Sequence, residues 1–551
     1  MSSDATVETS APPAPATGAW APLGHPTFRA LWLAVLASNI GTWVHDVAAS
    51  WFMSERTSSP LMVAAVQAAT TLPVVTFALV AGTLADIVDR RRYLIVVQLW
   101  MLAMTTVLTL LAHADRLDAE TLLVLTFALG AGAAMAMPAQ AATTAELVPR
   151  PLLAPAVALS SIGVNIARSI GPALGGLIVA RFGAAWAFSV NALSFLGVVT
   201  VLWRWRRVAP VSTLPSEPFG LALRAGLRYA ARASDFRSVL FKSACFFLFA
   251  SALPSQLAIV VRQQLSAGAG TYGMLLGFMG LGAVAGAIAL PKLRARLDAD
   301  RLVLGATLLY AATMLALAAV RDLRVLALAM LLSGSAWIVV LSSLQTAAHV
   351  SVPTWVRARA LALYIGTFSA GMAGGSLLWG TVAQQAGTEV ALTAAAVSAA
   401  LASFFSLRFR LSAAMGRDTA PSQHWPAPTM AGDVTPDRGP VLVTVEYRIE
   451  PAAREDFLHQ LHLLGETRRR DGAMQWGVME DAAEPGCFLE YFLIASWMEH
   501  LRQHERVTNE EKRIQDALRA LHRGAQSPVV RHFATATPTG TRNVTSEEDL
   551  P

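Results

Sequence analysis

The chain contains little charge, and this shortage argues against a soluble protein of ordinary composition. Charged residues make up 15% of its 551 residues and hydrophobic residues 54%, with a positive mean hydropathy. Soluble domains carry about 25% charged residues. Lipid must therefore solvate most of this chain, and we interpret it as a polytopic membrane protein.

Cysteine is also scarce, with Cys245 in an apolar run and Cys487 near the C terminus. Two isolated cysteines support neither a disulfide framework nor a cysteine metal site. A glycine-rich lysine loop of the Walker type is missing too, which argues against an ATP-driven pump. The formal charge of +6 does not indicate a nucleic-acid partner, because the arginines cluster between apolar runs.

Twelve apolar segments follow one another along most of the chain. A helix needs about 20 apolar residues to cross a bilayer, and the segments approach or exceed that length. We place them at 28–53, 61–81, 93–113, 119–138, 152–180, 185–203, 238–261, 272–290, 302–320, 325–348, 360–384 and 388–407. A loop at 204–237 separates the first six from the last six. The expected fold is an all-α membrane protein with two six-helix halves, at 25–203 and 238–410.

The basic residues predict the orientation in the membrane. The loops after segments 2, 4, 8 and 10 carry more arginine and lysine than the opposite loops, and the middle loop is rich in arginine. By the positive-inside rule both termini are cytoplasmic, and residues 1–24 are expected to form a disordered tail. Within the linker 204–237, Arg224, Arg228 and Arg232 share one helical face, which predicts an amphipathic helix on the inner membrane surface.

Segment 5 contains the most informative run, Asn165-Ile-Ala-Arg168-Ser-Ile-Gly171-Pro172-Ala-Leu-Gly175-Gly176. The proline withholds one backbone hydrogen bond, and the glycines strip side chains from the helix surface. The helix should therefore bend and pack closely, and packing alone is the alternative to a functional role for the glycines. An arginine at this depth is costly unless it pairs or faces water, so Arg168 is a candidate functional residue.

A second motif follows segment 2, where the chain reads Gly82-Thr-Leu-Ala-Asp86-Ile-Val-Asp89-Arg90-Arg91-Arg92. A glycine at a helix end, an acid and an arginine cluster indicate a cytoplasmic gate, since the acid can pair at a neighbouring helix end. The stretch resembles the loop signature between segments 2 and 3 of the major facilitator superfamily. Gly82, Asp86, Arg90 and Arg91 match that signature, whereas Ile87 and Asp89 depart from it.

Gly171, Pro172, Gly175 and Gly176 are similar to the segment 5 signature of the superfamily's exporters and antiporters, with Ala167 where the leading glycine stands. Together with Ser38-Asn39-Ile-Gly41-Thr-Trp43, residues 25–410 resemble the branch of bacterial exporters that includes the enterobactin exporter. The resemblance implies export across the bacterial inner membrane by alternating access. An offset of 204 residues that aligns Gly171 with Gly375 and Gly176 with Gly380 is consistent with repeated halves.

Two ionisable residues within the segments suggest how transport is driven. Asp46 in segment 1 and Arg168 in segment 5 are predicted to lie at similar depth and to pair. Burial favours the neutral form of a carboxyl group, and a nearby guanidinium favours the charged form. A carboxyl group under both influences can take up and release a proton. We predict Asp46 as the proton-coupling acid and Arg168 as its partner or as a contact for an anionic substrate, with a static structural pair as the alternative.

Uncharged polar residues are predicted to complete the cavity for the small-molecule substrate: Asn39, Gln67, Asn165, Asn191, Gln256 and Gln345. Each can equally make a hydrogen bond between helices. Five tryptophans fit interfacial belts at least as well as they fit a substrate pocket: Trp43, Trp51, Trp186, Trp203 and Trp337.

The C-terminal part changes character after a linker at 411–439 that is rich in Pro, Ala and Ser. Residues 440–535 read as strand, helix, two strands, helix and strand, which predicts a cytoplasmic ferredoxin-like α+β domain. A disordered tail is expected at 536–551. The domain resembles the antibiotic-biosynthesis monooxygenase-like domains, which usually form dimers, and this implies a possible dimer through it.

His500 and His504 stand one helical turn apart, and such a pair can share a metal ion. No third ligand is evident from the sequence, so we favour a solvated helix face and predict no metal, cofactor or catalytic residue.

The expected function is proton-coupled export of a small hydrophobic or amphipathic molecule, such as a drug or siderophore. The C-terminal domain is expected to regulate, dimerise or sense substrate. The alternative is a bifunctional protein whose C-terminal domain acts on the transported metabolite as a cofactor-free monooxygenase.

Overall fold

The computed structural model describes residues 18, 20–205, 219–353, 355–411, 422, 424–425, 438–524 and 526–535. The predicted disordered tails at 1–24 and 536–551 lie wholly or mostly outside these residues, as does most of the predicted linker 411–439. The chain divides into two compact units. A helical unit comprises Met1–Pro215, Leu240–Leu344 and Tyr364–Arg408, and a mixed unit comprises Ser216–Val239, Gln345–Leu363 and Phe409–Pro551.

Helices form at every predicted apolar segment and extend beyond most of them. The first six are α1 (Pro26–Arg56), α2 (Pro60–Ile87), α3 (Arg90–His113), α4 (Ala119–Leu147), α5 (Leu153–Phe182) and α6 (Ala184–Arg204). The ends follow local chemistry, because Ser59, Asp89 and Asp118 each accept a hydrogen bond from a free backbone N–H at the start of a helix. Prolines 73, 138 and 172 lie inside α2, α4 and α5.

The middle loop contains a short helix, α7 (Phe219–Arg232), and seven more helices build the second half. They are α8 (Ser234–Ala250), α9 (Ala252–Ile259), α10 (Ala269–Arg294), α11 (Ala299–Ala319), α12 (Leu323–Val350), α13 (Arg357–Ala386) and α14 (Thr388–Phe405). The predicted seventh segment is α8 and α9 together, and a π-helical turn at Val260–Gln264 continues it.

Eleven helical stretches among the described residues are long and apolar enough to cross a membrane. The predicted first segment is not one of them, although α1 has 31 residues. Polar residues such as Asn39, His45 and Asp46 lower its mean hydropathy. It nevertheless packs against α5 and α6, with Val44, Val47 and Ala48 buried. The count of twelve spans stays a prediction.

A four-stranded antiparallel sheet forms the C-terminal domain. Its strands are β1 (Val441–Arg448), β2 (Gln475–Glu480), β3 (Cys487–Ile494) and β4 (Val529–Ala534), in the order β2-β3-β1-β4. Helix α15 (Arg454–Arg470) connects β1 to β2, which gives the predicted order of elements. The single predicted helix after β3 is instead two, α16 (Trp497–Arg506) and α17 (Asn509–Leu521). The reason is local: Thr508 and Glu511 form a capping box that starts a new helix.

A buried carboxylate ties the core of this domain together. Glu490 on β3 is fully buried and accepts hydrogen bonds from Arg468 at 3.2 Å, Trp476 at 3.0 Å and Tyr447 at 3.4 Å. A buried charge is tolerated when it is paired and hydrogen-bonded, as here. This network fixes α15 against the sheet.

Candidate transport site

A cavity of about 380 Å³ lies between helices of both halves of the helical unit. Its first-half lining comes from α1 to α5, and its second-half lining from α9, α10, α12 and α13. The wall combines polar and aromatic side chains, among them Thr42, Trp43, His45, Asp46, Ser50, Gln67, Arg168, Tyr272, Trp337 and Phe368. Such a mixed wall suits a molecule with both apolar and polar parts.

Asp46 and Arg168 both line this cavity, as two residues of one site should. The predicted ion pair between them does not form within the described part of the chain. Instead, the Arg168 guanidinium lies over the ring of Trp43, 5.8 Å from its centroid. This cation–π contact leaves the carboxylate of Asp46 on the cavity wall, where Tyr272 is another lining side chain.

Of the predicted uncharged polar residues, Gln67 also lines this cavity, and the others are dispersed. Asn39 lines a neighbouring cavity of about 480 Å³, which shares Thr42 with the first. Asn165 is exposed and donates to the carbonyl of Ser161 on its own helix, 3.0 Å away. Gln256 is fully buried and is not among the residues that line either cavity. Asn191 is fully buried on α6 and lines neither this cavity nor the neighbouring one. Gln345 is exposed and belongs to the mixed unit.

The glycines of segment 5 lie at close contacts between helices. A Cβ on Gly171 would meet Trp43, and one on Gly175 would meet Val44 and Val47, all on α1. A Cβ on Gly176 would collide with the backbone of Gly273 on α10, in the other half. Pro172 lines the cavity at the same level of α5. The motif therefore lets α5 approach two helices closely.

The repeat partner of Gly176 makes the corresponding contact. Gly380 on α13 leaves space for α2, since a Cβ there would lie 2.7 Å from Ala64 and 3.1 Å from Leu61. Side chains at the same helix ends also bridge the halves: Ser59 donates to Gln384 at 2.7 Å, and Arg262 to the carbonyl of Glu55 at 3.3 Å. One end of the interface between the halves is thus closed.

The structure describes only some of the side chains of the predicted gate motif. Gly82 and Asp86 belong to α2, but their side chains lie outside the described residues. Arg90 pairs with Glu146 at the end of α4, with 2.6 Å between the charged atoms. Arg91 donates to the carbonyls of Leu202 and Trp203 at the end of α6. The sequence did not indicate Glu146 as a partner, because it lies beyond residue 138, where segment 4 was predicted to end, whereas α4 continues to Leu147.

The mixed unit joins the linker helix, the loop between α12 and α13, and the C-terminal domain. Tyr229 on α7 donates to the carbonyl of Ser351 at 2.9 Å, and the guanidinium of Arg470 lies 5.5 Å from its ring centroid. Arg232 donates to the carbonyl of Arg469 at 2.9 Å. Helix α7 therefore packs on protein here, which the prediction of a helix on the membrane surface did not include. The side chain of Arg224 is outside the described residues.

Helix α16 makes the remaining contacts of that assembly. Its Glu499 lies 3.7 Å from Arg228 of α7 and accepts a hydrogen bond from Arg506 at 2.6 Å. The guanidinium of Arg506 lies 4.3 Å from the ring centroid of Trp355, in the loop after α12. Burial lowers the pKa of Arg228, and the nearby Glu499 carboxylate opposes this.

The prediction of a solvated face for His500 and His504 is wrong for His500, which is 1% exposed. The structure brings a third imidazole, His532 on β4, close to both. Burial, together with His504, His532 and Arg468 nearby, lowers the pKa of His500 to about 3. The sequence predicts a strand that contains His532, but only the register of that strand in the sheet decides that His532 shares a face with α16.

Comparison with known proteins agrees with this architecture. The family of transmembrane secretion effectors matches residues 17–539. The multidrug efflux pump Tap of Mycobacterium tuberculosis (strain ATCC 25618 / H37Rv) is 30% identical over 213 residues, 37% of this chain and 50% of the relative. The staphyloferrin A transporter of Staphylococcus aureus (strain NCTC 8325 / PS 47) is 24% identical over 157 residues, 28% of this chain and 40% of the relative.

The chain spans about half the length of these curated relatives, or less. Among solved structures, a bacterial homologue of the human lysosomal transporter Spinster, inward-facing and unoccupied, has a TM-score of 0.56. It is 16% identical, and the alignment covers 71% of this chain and 97% of that one, which supports the fold alone. The chain belongs to the transmembrane secretion effector family of the major facilitator superfamily.

Proposed function

We propose that this transporter exports a small amphipathic molecule in exchange for protons, by alternating access of the cavity between its halves. The observation that carries the proposal is that cavity: both halves line it, and it holds one carboxylate, Asp46, and one guanidinium, Arg168. Ionisable side chains inside membrane proteins typically face such cavities and serve ion or substrate pathways. The efflux pump and siderophore transporter among the relatives support this class of substrate.

Asp46 is proposed as the group that binds the proton and Arg168 as a contact for a negatively charged part of the substrate. Because Arg168 stacks on Trp43 and is not paired with Asp46, the carboxylate can change protonation without breaking an ion pair. Competition between proton and substrate for the same cavity then couples their movements. The aromatic walls, Trp337 and Tyr272 among them, would bind apolar parts of the substrate.

With both termini cytoplasmic, the closed end of the interface faces outside. The bonds from Ser59 to Gln384 and from Arg262 to Glu55, with the contact of Gly176 and Gly273, would form the outer gate. Arg90 and Glu146 would belong to the cytoplasmic end, within the first half. Each rocking of the halves must break the outer contacts, and exposed polar contacts of this kind are weak enough to allow it.

The test is substrate-induced proton movement in inverted membrane vesicles, over a panel of dyes, drugs and siderophores. In the Asp46→Asn variant we expect gradient-driven uptake to be lost, while exchange down a substrate gradient is retained. The matched control is Asp118→Asn, because Asp118 caps α4 outside the cavity and asparagine is an equally good cap. Unchanged gradient-driven uptake in Asp46→Asn would contradict the coupling role.

The C-terminal domain is proposed to regulate transport. It contacts α7 and the loop between α12 and α13 through Glu499, Arg506 and Arg470, and this loop joins two helices that line the cavity. Holding the loop would restrain the movement of these helices. The specific observation in favour is the stacking of Arg506 on Trp355.

The Trp355→Ala variant should therefore transport faster at saturating substrate, with the half-saturating concentration unchanged, since the cavity is intact. Trp203→Ala is the control, because that indole is 72% exposed on α6. Equal rates in Trp355→Ala and wild type would argue against restraint by the domain. Turnover of a quinol-like substrate by the purified chain would instead favour the enzymatic alternative.

A further inference from the structure

Three histidines converge in the C-terminal domain, well apart in sequence from the transport cavity. His500 and His504 lie on α16, and His532 lies on β4. One ring nitrogen from each lies within 4.8 Å of the other two. The Nε2 atoms of His500 and His504 are 3.2 Å apart, and the ring centroids of His500 and His532 are 4.7 Å apart.

The sheet register explains why His532 joins the pair. His532 lies opposite Val443 of β1, and Val443 in turn lies opposite Phe492 of β3. Residues opposite one another share a face of the sheet, and neighbours along a strand alternate. Arg531 and Phe533 are accordingly exposed on the other face. His532 is left on the inner face, where α16 presents its two histidines.

The distances suit a metal ion bound by imidazole. Zinc–nitrogen bonds of about 2.0–2.1 Å in a tetrahedral site place two ligand nitrogens about 3.3 Å apart. The pair on α16 already has this spacing, and a ring nitrogen of His532 lies within 4.8 Å of both. A hydrogen bond between two imidazoles gives a similar distance, but it does not account for a third imidazole nitrogen close to the same pair.

The three histidines are surrounded by aromatic side chains and by one charged pair. Trp497 packs on both His500 and His532, with centroid distances of 5.3 and 6.0 Å, and Trp425 packs on His504 at 4.8 Å. The nearby positive charge of Arg468 is paired with Glu490. Neutral imidazole nitrogens select zinc and similar transition metals over magnesium and calcium, which prefer oxygen.

A polar side chain that could accept a hydrogen bond from the second ring nitrogen of His500 lies nearby. Nδ1 of His500 has no hydrogen bond of good geometry among the described residues, and Gln503 is the polar side chain beside it. A ligating histidine usually donates its second N–H to such a group, which orients the ring. A small adjustment of Gln503 would give His500 this support.

We propose that His500, His504 and His532 bind a divalent transition-metal ion of the zinc type, with the fourth position open to water or a ligand. The proposal does not rest on the transport function. It has a structural consequence, because α16 also carries Glu499 and Arg506. An ion that ties α16 to β4 would stabilise the helix that contacts Arg228 and Trp355.

The test is Co²⁺ binding to the full chain, purified without a polyhistidine tag and treated with a chelator. We expect one equivalent to bind with the visible absorption of tetrahedral cobalt, and Zn²⁺ to displace it. His504→Ala and His532→Ala should each weaken binding by roughly tenfold or more. His459→Ala, which removes an exposed histidine on α15, should bind as wild type does.

The alanine variants could lose metal binding because they misfold, so a second substitution replaces a histidine with another metal-binding residue. His504→Cys should still bind Co²⁺ and should add the charge-transfer absorption of a cobalt–sulfur bond. Binding that is equal in wild type and in the variant with all three histidines changed to alanine would overturn the proposal. Absence of any tetrahedral cobalt signal from the wild-type chain would overturn it as well.

Discussion

Burying the charge of Arg168 in the membrane costs free energy, and the sequence marked it as a functional residue for that reason, but it predicted the wrong contact for this side chain. Its depth in an apolar segment marked it as functional, and it does line the cavity. Its contact, however, is the face of Trp43 and not the carboxylate of Asp46. The same observation places Trp43 at the cavity, where the sequence equally allowed an interfacial position.

Glu511 provides a prediction at the residue scale. Burial and the neighbouring Asp471 raise its pKa to about 7, although Arg470 opposes this. The folded domain then holds a proton that the unfolded chain, with a pKa near 4.5, has released. The contribution of protonated Glu511 to the free energy of unfolding is therefore fully present below pH 4.5. It is lost as pH rises from there through 7.

The Glu511→Gln variant should flatten this dependence, since glutamine keeps the capping box but does not titrate. The measurement is hydrogen exchange of the α17 amides in the full chain from pH 5 to pH 8, corrected for the intrinsic exchange rate. Glu510→Gln changes a neighbouring residue in the same first turn and should keep the wild-type dependence. A dependence that is equally steep in Glu511→Gln would contradict the assignment.

The contact between α5 and α10 yields a prediction at the scale of elements. A methyl group in Gly176→Ala would have to occupy the position of the Gly273 backbone, which cannot move without moving α10. We expect the outer ends of the halves to separate and transport to fall. Gly197→Ala on α6 is the matched control, because a Cβ there meets nothing within 4 Å.

Labelling would report this separation directly. A cysteine in place of Ser59, in a chain whose Cys245 and Cys487 are replaced by alanine, should react faster with an impermeant maleimide when Gly176→Ala is present. Ser59 is the appropriate position because it donates to Gln384 across the halves. Equal labelling rates with and without the substitution would show that this glycine pair does not close the outer gate.

At the scale of the whole molecule, the outer face of the C-terminal sheet exposes several apolar side chains. Leu442 and Phe533 lie opposite each other there, and Leu489 and Val529 are exposed on the same face. Such an apolar face is typical of an interaction surface. We propose that a second copy of the domain covers it, which would make the transporter a dimer.

Phe533→Asp should therefore convert the full chain in detergent from dimer to monomer, as measured by native mass spectrometry. Leu463→Asp, which places the same charge on an exposed position of α15, should leave the mass unchanged. A monomeric wild-type chain, or a dimer that persists in Phe533→Asp, would contradict the proposal.

Local pattern was enough to predict most of the elements, and it failed at one local helix start and at the positions of the polar side chains. Apolar runs give helices because lipid or a core must cover them, and alternation gave the strands of the C-terminal domain. The break between α16 and α17 was missed because Thr508 and Glu511 interrupt a pattern that otherwise continues. The polar residues proved less predictable, since Asn165 bonds within its own helix and Gln345 lies in another unit.

The sequence by itself determined that this is a membrane protein of two helical halves with a small α+β domain, because burial against lipid or core is encoded residue by residue. Only the tertiary structure decided which side chains share a site. Arg168 with Trp43, Arg228 with Glu499, and His532 with His500 are each brought together by the packing of separate elements. Such contacts depend on the rotation and register of whole helices and strands, which no local pattern specifies.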